Sequence, residues 1–107
     1  MGEVVKLIDL GFIAISEGKS CGFVVGRQTY LAEYDMQEGE IAMIGVMPGY
    51  RGKDVGGKLI DALSDLFRSR GVRRVRIGID PQDKDLRAFF EHEGFSGQRL
   101  IYYSKPL

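Results

Sequence analysis

Cysteine, histidine and tryptophan are almost missing from this 107-residue sequence, which has one cysteine, one histidine and no tryptophan. The single cysteine excludes an internal disulfide and fits a reducing compartment such as the cytoplasm. The formal net charge is zero, so no overall field favours nucleic acid or an anionic membrane. No hydrophobic run approaches a membrane span in length, and the N-terminus lacks the layout of a signal peptide. We therefore expect a cytoplasmic protein that binds neither nucleic acid nor a membrane.

The sequence gives little support for a metal site or a nucleic-acid-binding surface. His92 lies between Glu91 and Glu93 on a predicted helix, with no second ligand spaced near it, so we expect a solvated histidine and no metal site. The arginines between residues 68 and 76 lack the interleaved aromatic residues of a nucleic-acid surface and are predicted to form a solvated face. Cys21 is predicted to be a buried small hydrophobic residue of a strand.

Hydrophobic periodicity predicts one small α/β domain over residues 1–107, with a mixed sheet flanked by helices. The predicted elements are strands at 12–16, 20–25 and 41–46, a helix from 55 to Gly71, a strand at 75–79, a helix from the N-cap Asp83 to Gly94 and a strand at 99–104. A helix connects the strands 41–46 and 75–79, so we expect these two to be parallel. Residues 27–39 fit either a longer strand or a loop, and residues 4–8 fit either a helix or a strand.

Residues 46–59 are the most informative segment, because an apolar strand runs through a Pro/Gly turn into the start of an amphipathic helix. The first N–H groups of a helix lack internal partners and lie at the positive end of its dipole. Glycines let a ligand reach this backbone, so the segment predicts a phosphate or diphosphate site. Two alternatives stay open. Residues 52–59 nearly match the nucleotide loop G-x-x-x-x-G-K-[ST], with Leu59 in place of the magnesium-binding hydroxyl, and the glycines could also serve a helix start without a ligand.

Two motifs resemble the GNAT N-acetyltransferase superfamily. Residues 40–53 look like the central strand of that family and its V-x-P-x-[YW]-R-G-K turn, and residues 86–95 are similar to its A-x-x-F-Y-E-K-x-G-F helix end. Residues 54–56 take the place of the G-x-G/A that closes the signature R-x-x-G-x-G/A. The resemblance covers about residues 12–107. It implies the GNAT fold and the transfer of an acetyl group from acetyl-CoA to an amine of a small molecule or peptide.

The resemblance also implies a cofactor site. Backbone amides from Arg51 to Gly57 would hold the diphosphate of coenzyme A, with Arg51 and Lys53 adding positive charge, although Arg51 could instead be a surface charge. Backbone groups near residues 44–46 would pair with the pantetheine arm and direct an N–H at the thioester oxygen. The cofactor-binding residues implied in this way are Ile44, Gly45, Val46, Arg51, Gly52, Lys53, Asp54, Val55, Gly56 and Gly57. Gly45 fits either a bulge or close backbone approach, or a small residue under a packed helix.

Glu40 is the candidate catalytic residue. It occupies the place of the general-base glutamate in the E-I-V-F-C-A-I motif of the histone-acetyltransferase branch, and a carboxylate there could take the proton of the amine directly or through water. The alternative is a solvated turn glutamate beside Glu38 and Gly39.

Three departures from the family pattern favour an alternative function, a catalytically silent acyl-CoA-binding or interaction module. Phe90 replaces the usual tyrosine that protonates the departing thiolate, and either Tyr102 or Tyr103 could substitute for it. Asp54 replaces a glycine of the anion loop, and Asp83 replaces a common asparagine.

The N-terminus is short for this family, whose members usually place one strand and two helices before the hairpin. Only one short element fits there, so we expect a minimal or truncated member, or a second subunit that covers the exposed sheet. Uncovered strand edges and apolar patches favour association, which predicts a homodimer.

Overall fold

The computed structural model describes residues 2–98, 101 and 103–107. In chain order the elements are β1 (Gly2–Ile8), β2 (Gly11–Ser16), β3 (Lys19–Leu31), β4 (Met36–Val46), α1 (Val55–Ser69), β5 (Val75–Arg76) and α2 (Lys84–His92). Single 3-10 turns lie at Ala32–Tyr34 and Pro48–Tyr50. The strands form one sheet in the order β1-β2-β3-β4-β5, antiparallel except for the parallel β4–β5 pair. This mixed sheet with helices confirms the predicted fold class.

The first residues form a strand rather than a helix. β1 pairs antiparallel with β2, and the two-residue turn at Asp9 and Leu10 joins them directly, so the described part of the chain has no helix before β2. The predicted hairpin of β2 and β3 is confirmed. Its turn places Glu17 and Gly18 at φ 53° and 76°, the left-handed conformation that two-residue hairpin loops require.

α1 covers one face of the sheet because its apolar residues recur at helical spacing. Leu59, Leu63 and Phe67 are almost completely buried. Glycines on β3 and β4 make room for the ring of Phe67. A methyl group added to Gly39 would lie 2.8 Å from ring atoms of Phe67, and one added to Gly26 would lie 3.0 Å from the same ring. The close approach of α1 to the sheet therefore depends on these two positions.

α2 begins and ends as its sequence predicts. The Asp83 carboxylate accepts a hydrogen bond from the Leu86 N–H at 3.0 Å, which is the N-cap interaction that the sequence predicts. Phe90 is buried, and its ring meets those of Phe89 and Phe95 edge-on at 5.0 and 5.1 Å between centroids. These aromatic contacts anchor α2 to the hydrophobic core.

The structure decides one open alternative and shows two predicted strands to be wrong. Residues 27–39, which fit either a longer strand or a loop, are mostly strand, because β3 continues to Leu31 and β4 begins at Met36. β5 ends at Arg76 instead of continuing to residue 79. Of the predicted strand 99–104, residues 99, 100 and 102 lie outside the described residues, and Ile101, Tyr103 and Ser104 are not in a strand.

The sheet face opposite α1 carries exposed apolar side chains. Side chains alternate between the two faces of a strand. Gly22 and Gly26 face α1, so Phe23 of β3 faces away from it. Phe23 is 37% exposed, and Met43 of β4, its neighbour on the same face, is 60% exposed. No helix in the described part of the chain is long and apolar enough to cross a membrane.

Candidate active site

The start of α1 is built by a tight turn after β4. Pro48 opens the 3-10 turn, and the Tyr50 N–H donates to the Met47 carbonyl at 2.8 Å. Gly52 then adopts φ 80° and Asp54 adopts φ 62°, both in the left-handed region, before α1 begins at Val55. Glycine enters this region without cost, and aspartate tolerates it better than most residues. These two reversals turn the chain from the sheet into the helix.

The main-chain N–H groups from Gly52 to Gly57 have no hydrogen-bond acceptor among the described residues. The preceding Arg51 N–H makes a long bond of 3.4 Å to the Pro48 carbonyl, and the first helical bond runs from the Lys58 N–H to the Asp54 carbonyl at 3.1 Å. In the described part of the chain, six consecutive donors at and just before the start of α1 therefore make no well-formed hydrogen bond. Unpaired donors at a helix start form a ready site for an anion.

The two glycines of the first turn of α1 pack against residues of α2 and its C-terminal end. A methyl group added to Gly56 would lie 2.8 Å from Cζ of Phe89, and one added to Gly57 would lie 3.0 Å from Oε2 of Glu93. The carboxylate of Asp54 also folds onto Gly57, without making a capping hydrogen bond. The first turn of α1 thus rests on α2, and it carries two carboxylates close to the free donors.

Positive side chains lie on the outer part of the same turn. Arg51 is exposed, and its Nε donates to the Val46 carbonyl at 3.4 Å, which joins the end of β4 to the loop. Lys53 lies over the ring of Tyr50, with Nζ 5.7 Å from the centroid. The loop therefore presents a guanidinium, an ammonium and six free N–H groups, opposed by the carboxylates of Asp54 and Glu93.

β4 parts from β5 after a short parallel contact. The described residues pair these strands only at Gly39 with Val75 and at Glu40 with Arg76. From Ile41 to Val46 the edge of β4 that faces β5 has no strand partner in the described part of the chain. This edge includes residues 44–46 and is followed directly by the turn and helix start at residues 51–57, so the two predicted parts of the cofactor site are continuous in the chain.

A bulge lies where β4 leaves β5. Val25 of β3 pairs with Met43 and Gly26 pairs with Ile41, so Ala42 has no partner on β3. For Gly45 the sequence left open either a bulge or close backbone approach, or a small residue under a packed helix. Gly45 faces away from α1, and a methyl group there would lie 2.7 Å from Cε1 of Phe23. Gly45 thus makes room for a side chain of the neighbouring strand rather than for a helix.

Glu40 is the centre of an ion-pair cluster within β4, not a residue of a solvated turn. Its Oε1 accepts a hydrogen bond from Nε of Arg27 at 2.9 Å, and its Oε2 lies 3.5 Å from Nε of Arg76. Nε of Arg76 also lies 3.0 Å from Oε1 of the buried Glu38. The side chain of Glu40 is 24% exposed, so it is partly open to solvent beside the point where β4 and β5 diverge.

The described residues place no acid from the C-terminal tail at this site. Phe90, at the position of the family tyrosine, has its ring in the core. Tyr102 lies outside the described residues, and Tyr103 is 93% exposed in the tail. His92 is exposed, Cys21 is buried, and no group of three or more potential metal ligands occurs in the part of the chain that is described.

Sequence reasoning missed the partners of Glu40 and Lys53. Arg27 and Arg76 come from strands whose extents the sequence left open or misjudged, so nothing local indicated that they flank Glu40. Tyr50 was read only as a motif residue. Its spacing of three residues from Lys53 within a tight turn was a usable signal for the contact between them.

The sequence and the fold both have relatives. Residues 6–95 match the family described as Acetyltransferase (GNAT). Over 62 residues, 58% of this chain and 21% of the relative, the sequence is 40% identical to a mycothiol acetyltransferase of Beutenbergia cavernae. It is 24% identical over 94 residues, 88% of this chain, to N-alpha-acetyltransferase 30 of Schizosaccharomyces pombe, of which it covers 62%. This chain thus spans less than two thirds of either curated relative.

Solved structures share the fold. The aminoglycoside acetyltransferase AAC(6')-Iy, in complex with a bisubstrate analog of CoA and acetylneamine, superposes with a TM-score of 0.79 at 25% identity, over 91% of this chain and 69% of that one. An aminoglycoside acetyltransferase from an uncultured soil metagenomic sample superposes with a TM-score of 0.80 at 18% identity, over 91% of this chain and 64% of that one. With most of its length matching the family and its sheet matching these structures, the chain belongs to the GNAT acetyltransferase family.

Proposed function

We propose that this protein is an N-acetyltransferase that moves an acetyl group from acetyl-CoA to an amine. The observation that carries the proposal is the run of six N–H groups from Gly52 to Gly57 that have no acceptor among the described residues, continuous with the edge of β4 that no described strand pairs. A diphosphate needs several donors at once, and an extended amide-containing arm needs a strand edge. Coenzyme A contains both a diphosphate and an amide-containing arm. The N–H groups of residues 52–57 can bind the diphosphate, and the edge of β4 can pair with the arm.

Different residues of the proposed site bind different parts of coenzyme A. Main-chain donors from Gly52 to Gly57 bind the diphosphate, with Arg51 and Lys53 supplying charge. Ile44, Gly45 and Val46 bind the pantetheine arm through their main chain. Related structures support this assignment, because AAC(6')-Iy has been solved both with CoA and with a CoA-linked bisubstrate analog.

Glu40 is the proposed general base. Six residues separate it from Val46, roughly 20 Å along an extended strand, so it lies at the far end of the path from the diphosphate. In the reaction the amine gives a proton to the carboxylate, directly or through water, and its nitrogen attacks the thioester carbonyl. The C–N bond forms, the C–S bond breaks, and the electron pair leaves on sulfur. A thiolate whose parent thiol has a pKa of about 8.5 leaves without an acid at the Phe90 position.

A second candidate function is a catalytically silent acyl-CoA-binding module. Two specific observations favour it: the Glu40 carboxylate is shared between two arginines, and Phe90 is buried in the core. Such a module would bind acetyl-CoA with the same loop and release no thiol when amines are added. The two candidates therefore differ in turnover and not in cofactor binding.

We further propose a homodimer in the cytoplasm. The exposed apolar side chains of Phe23 and Met43 support self-association, because a patch of this kind on a sheet face favours burial. The buried free thiol of Cys21 supports a reducing compartment. The acceptor is an amine-bearing small molecule or peptide. N-alpha-acetyltransferase 30 and the aminoglycoside enzymes, as their names state, act on such groups.

Two assays test the proposal in sequence. Thermal shift with acetyl-CoA, CoA and ATP identifies the cofactor class, since a ligand at a hundredfold excess over its Kd adds about 2.7 kcal/mol of stability. We expect a rise in Tm with acetyl-CoA and CoA and none with ATP. Release of free thiol from acetyl-CoA across a panel of primary amines then separates an enzyme from a silent binder. Cofactor binding without thiol release from any amine would favour the second candidate.

A further inference from the structure

Among the described residues, Glu38 is the charged residue that the fold buries, with 6% of its surface exposed. Side chains two residues apart on a strand project from the same face, so Glu38 and Glu40 are neighbours on β4. Gly39 between them faces Phe67 of α1, and both carboxylates therefore lie on the opposite face of the sheet. Burying a carboxylate is costly unless a cation pairs with it, and the proposed reaction gives Glu38 no task.

The cation beside Glu38 is Arg76 of β5. Its Nε lies 3.0 Å from Oε1 of Glu38 and 3.5 Å from Oε2 of Glu40, so Glu38 is the nearer partner. Both Nε of Arg76 and Oε1 of Glu38 are closed to solvent, and neither makes a well-formed hydrogen bond with a described residue. Attraction between charges does not depend on such alignment. Arg76 is thus held beside Glu38 mainly by charge, within reach of a second carboxylate.

The two oxygens of Glu40 have different surroundings. Oε1 accepts the hydrogen bond from Arg27 across the β3–β4 pair at 2.9 Å. Oε2 lies 3.5 Å from Arg76, beyond the about 2.7–2.9 Å of a charge-assisted hydrogen bond. A general base needs an oxygen that can accept a proton from its substrate. Oε2 is the oxygen that remains for the amine, and Arg76 is the group that would block it by moving closer.

We propose that Glu38 is a positioning residue, whose carboxylate draws Arg76 away from Oε2 of Glu40 and keeps that oxygen open to the acceptor amine. This inference rests on the proposed function, because it concerns the base of the proposed acetyl transfer. The cluster of Arg27, Glu38, Glu40 and Arg76 has two positive and two negative side chains. Without the charge of Glu38, two guanidinium groups face one carboxylate, and each can bind one of its oxygens.

Glu38→Gln tests the proposal, because it removes this charge and nearly keeps the shape of the side chain. We expect kcat to fall about tenfold and the KM of acetyl-CoA to change less than about twofold, since the cofactor contacts stay intact. Adding Arg76→Gln to this variant should restore most of kcat, because no guanidinium remains to block Oε2. The matched control is Glu3→Gln, an exposed glutamate of β1, which should leave both quantities unchanged.

A merely structural role gives a different result, because the double variant would then recover no activity. Glu38→Asp keeps the charge and decides the question if thermal unfolding shows that the double variant does not fold. It should retain at least about half of kcat, and a loss as large as that of Glu38→Gln would contradict the proposal.

Unchanged kcat in Glu38→Gln, or no recovery in a folded double variant, would overturn this inference. The proposed function would stand, because the unmodified protein would still release thiol from acetyl-CoA when an amine is added. No thiol release from the unmodified protein with any amine of the panel would overturn the proposed acetyl transfer, and this inference with it.

Discussion

Oε1 of Glu40 accepts a hydrogen bond from Nε of Arg27 at 2.9 Å, across the β3–β4 pair. Arg76 approaches the other carboxylate oxygen at 3.5 Å. The two guanidinium groups fix the position of the carboxylate, and they also compete with an incoming amine for its oxygens. A base and a residue that only joins three strands therefore respond differently when Glu40 and Arg27 are replaced in turn.

Replacing Glu40 with Gln should lower kcat at least tenfold and change the acetyl-CoA Kd less than twofold. The amide keeps the shape of the side chain but cannot accept the proton of the amine. We expect the loss to be largest at low pH, where little of the acceptor amine is unprotonated. Steady-state kinetics from pH 6 to 9 and titration with acetyl-CoA measure the two quantities.

Arg27→Gln is the matched control for Glu40, because it breaks the same ion pair and keeps the carboxylate. If Glu40 is the base, Arg27→Gln retains most of the turnover that Glu40→Gln loses. If the cluster is only structural, both variants lose stability and activity together. Unchanged kinetics in Glu40→Gln would dismiss the catalytic role.

Asp54→Asn should strengthen acetyl-CoA binding about two- to fivefold. Asp54 is the residue just before α1, where its carboxylate would repel the diphosphate of the proposed cofactor, and asparagine tolerates the same left-handed backbone. Exposed charge interactions contribute roughly 0.2–1 kcal/mol, which sets this range. Titration at low and high salt measures the effect, which should shrink as salt rises.

Asp61→Asn is the control for that change, since Asp61 is an exposed carboxylate further along α1. It should leave the affinity unchanged. A weaker affinity in Asp54→Asn would show that the carboxylate organises the loop rather than opposing the ligand.

Gly56→Ala should destabilise the fold by about 1–3 kcal/mol and weaken acetyl-CoA binding. The new methyl group would lie 2.8 Å from Cζ of Phe89, so α1 and α2 must separate beside the proposed diphosphate site. Gly49→Ala, in the preceding turn, meets no atom within 4 Å and should be neutral within about 0.5 kcal/mol. Urea unfolding of both variants measures the difference, and equal stability would contradict the packing of α2 against α1.

The Asp9–Arg70 pair gives a pH-dependent contribution to stability. A hydrogen bond from Arg70 is the main cause that lowers the pKa of Asp9 below its usual value. A lowered folded-state pKa means that the contribution is present above the unfolded pKa of about 3.9 and is lost as pH falls through the folded value. The Tm difference between the unmodified protein and Asp9→Asn should stay constant from pH 7 to 5 and vanish in strong acid. A difference that grows on acidification would contradict this assignment.

Much of the fold follows from local patterns in the sequence. The apolar spacing that ends in Leu63 and Phe67 defines α1 with its buried face, and Asp83 caps α2 as its position indicates. The resemblance to a known family predicts the diphosphate site at residues 51–57, because its glycines stand in a recognisable order, and that site stays a prediction. These signals lie within a few residues of the structure that they specify.

Features that depend on distant partners were not predictable in the same way. β5 ends at Arg76 because β4 bulges at Ala42 and its pairing with β5 stops there. The sequence of β5 itself carries no signal of this end. The sequence left Glu40 open between a catalytic base and a solvated turn residue, and it did not indicate the ion pairs of Glu40, because their arginines come from other strands. The role of Gly45 also follows from Phe23, a residue 22 positions earlier in the chain.

Titration of the protein with acetyl-CoA, followed by the amide ¹H–¹⁵N spectrum, tests the central claim most directly. We predict saturable binding in which the N–H signals of Gly52, Lys53, Val55, Gly56 and Gly57 shift most, because their donors gain an anionic acceptor. Binding that leaves these five signals unmoved, or no binding of acetyl-CoA at all, would contradict the account.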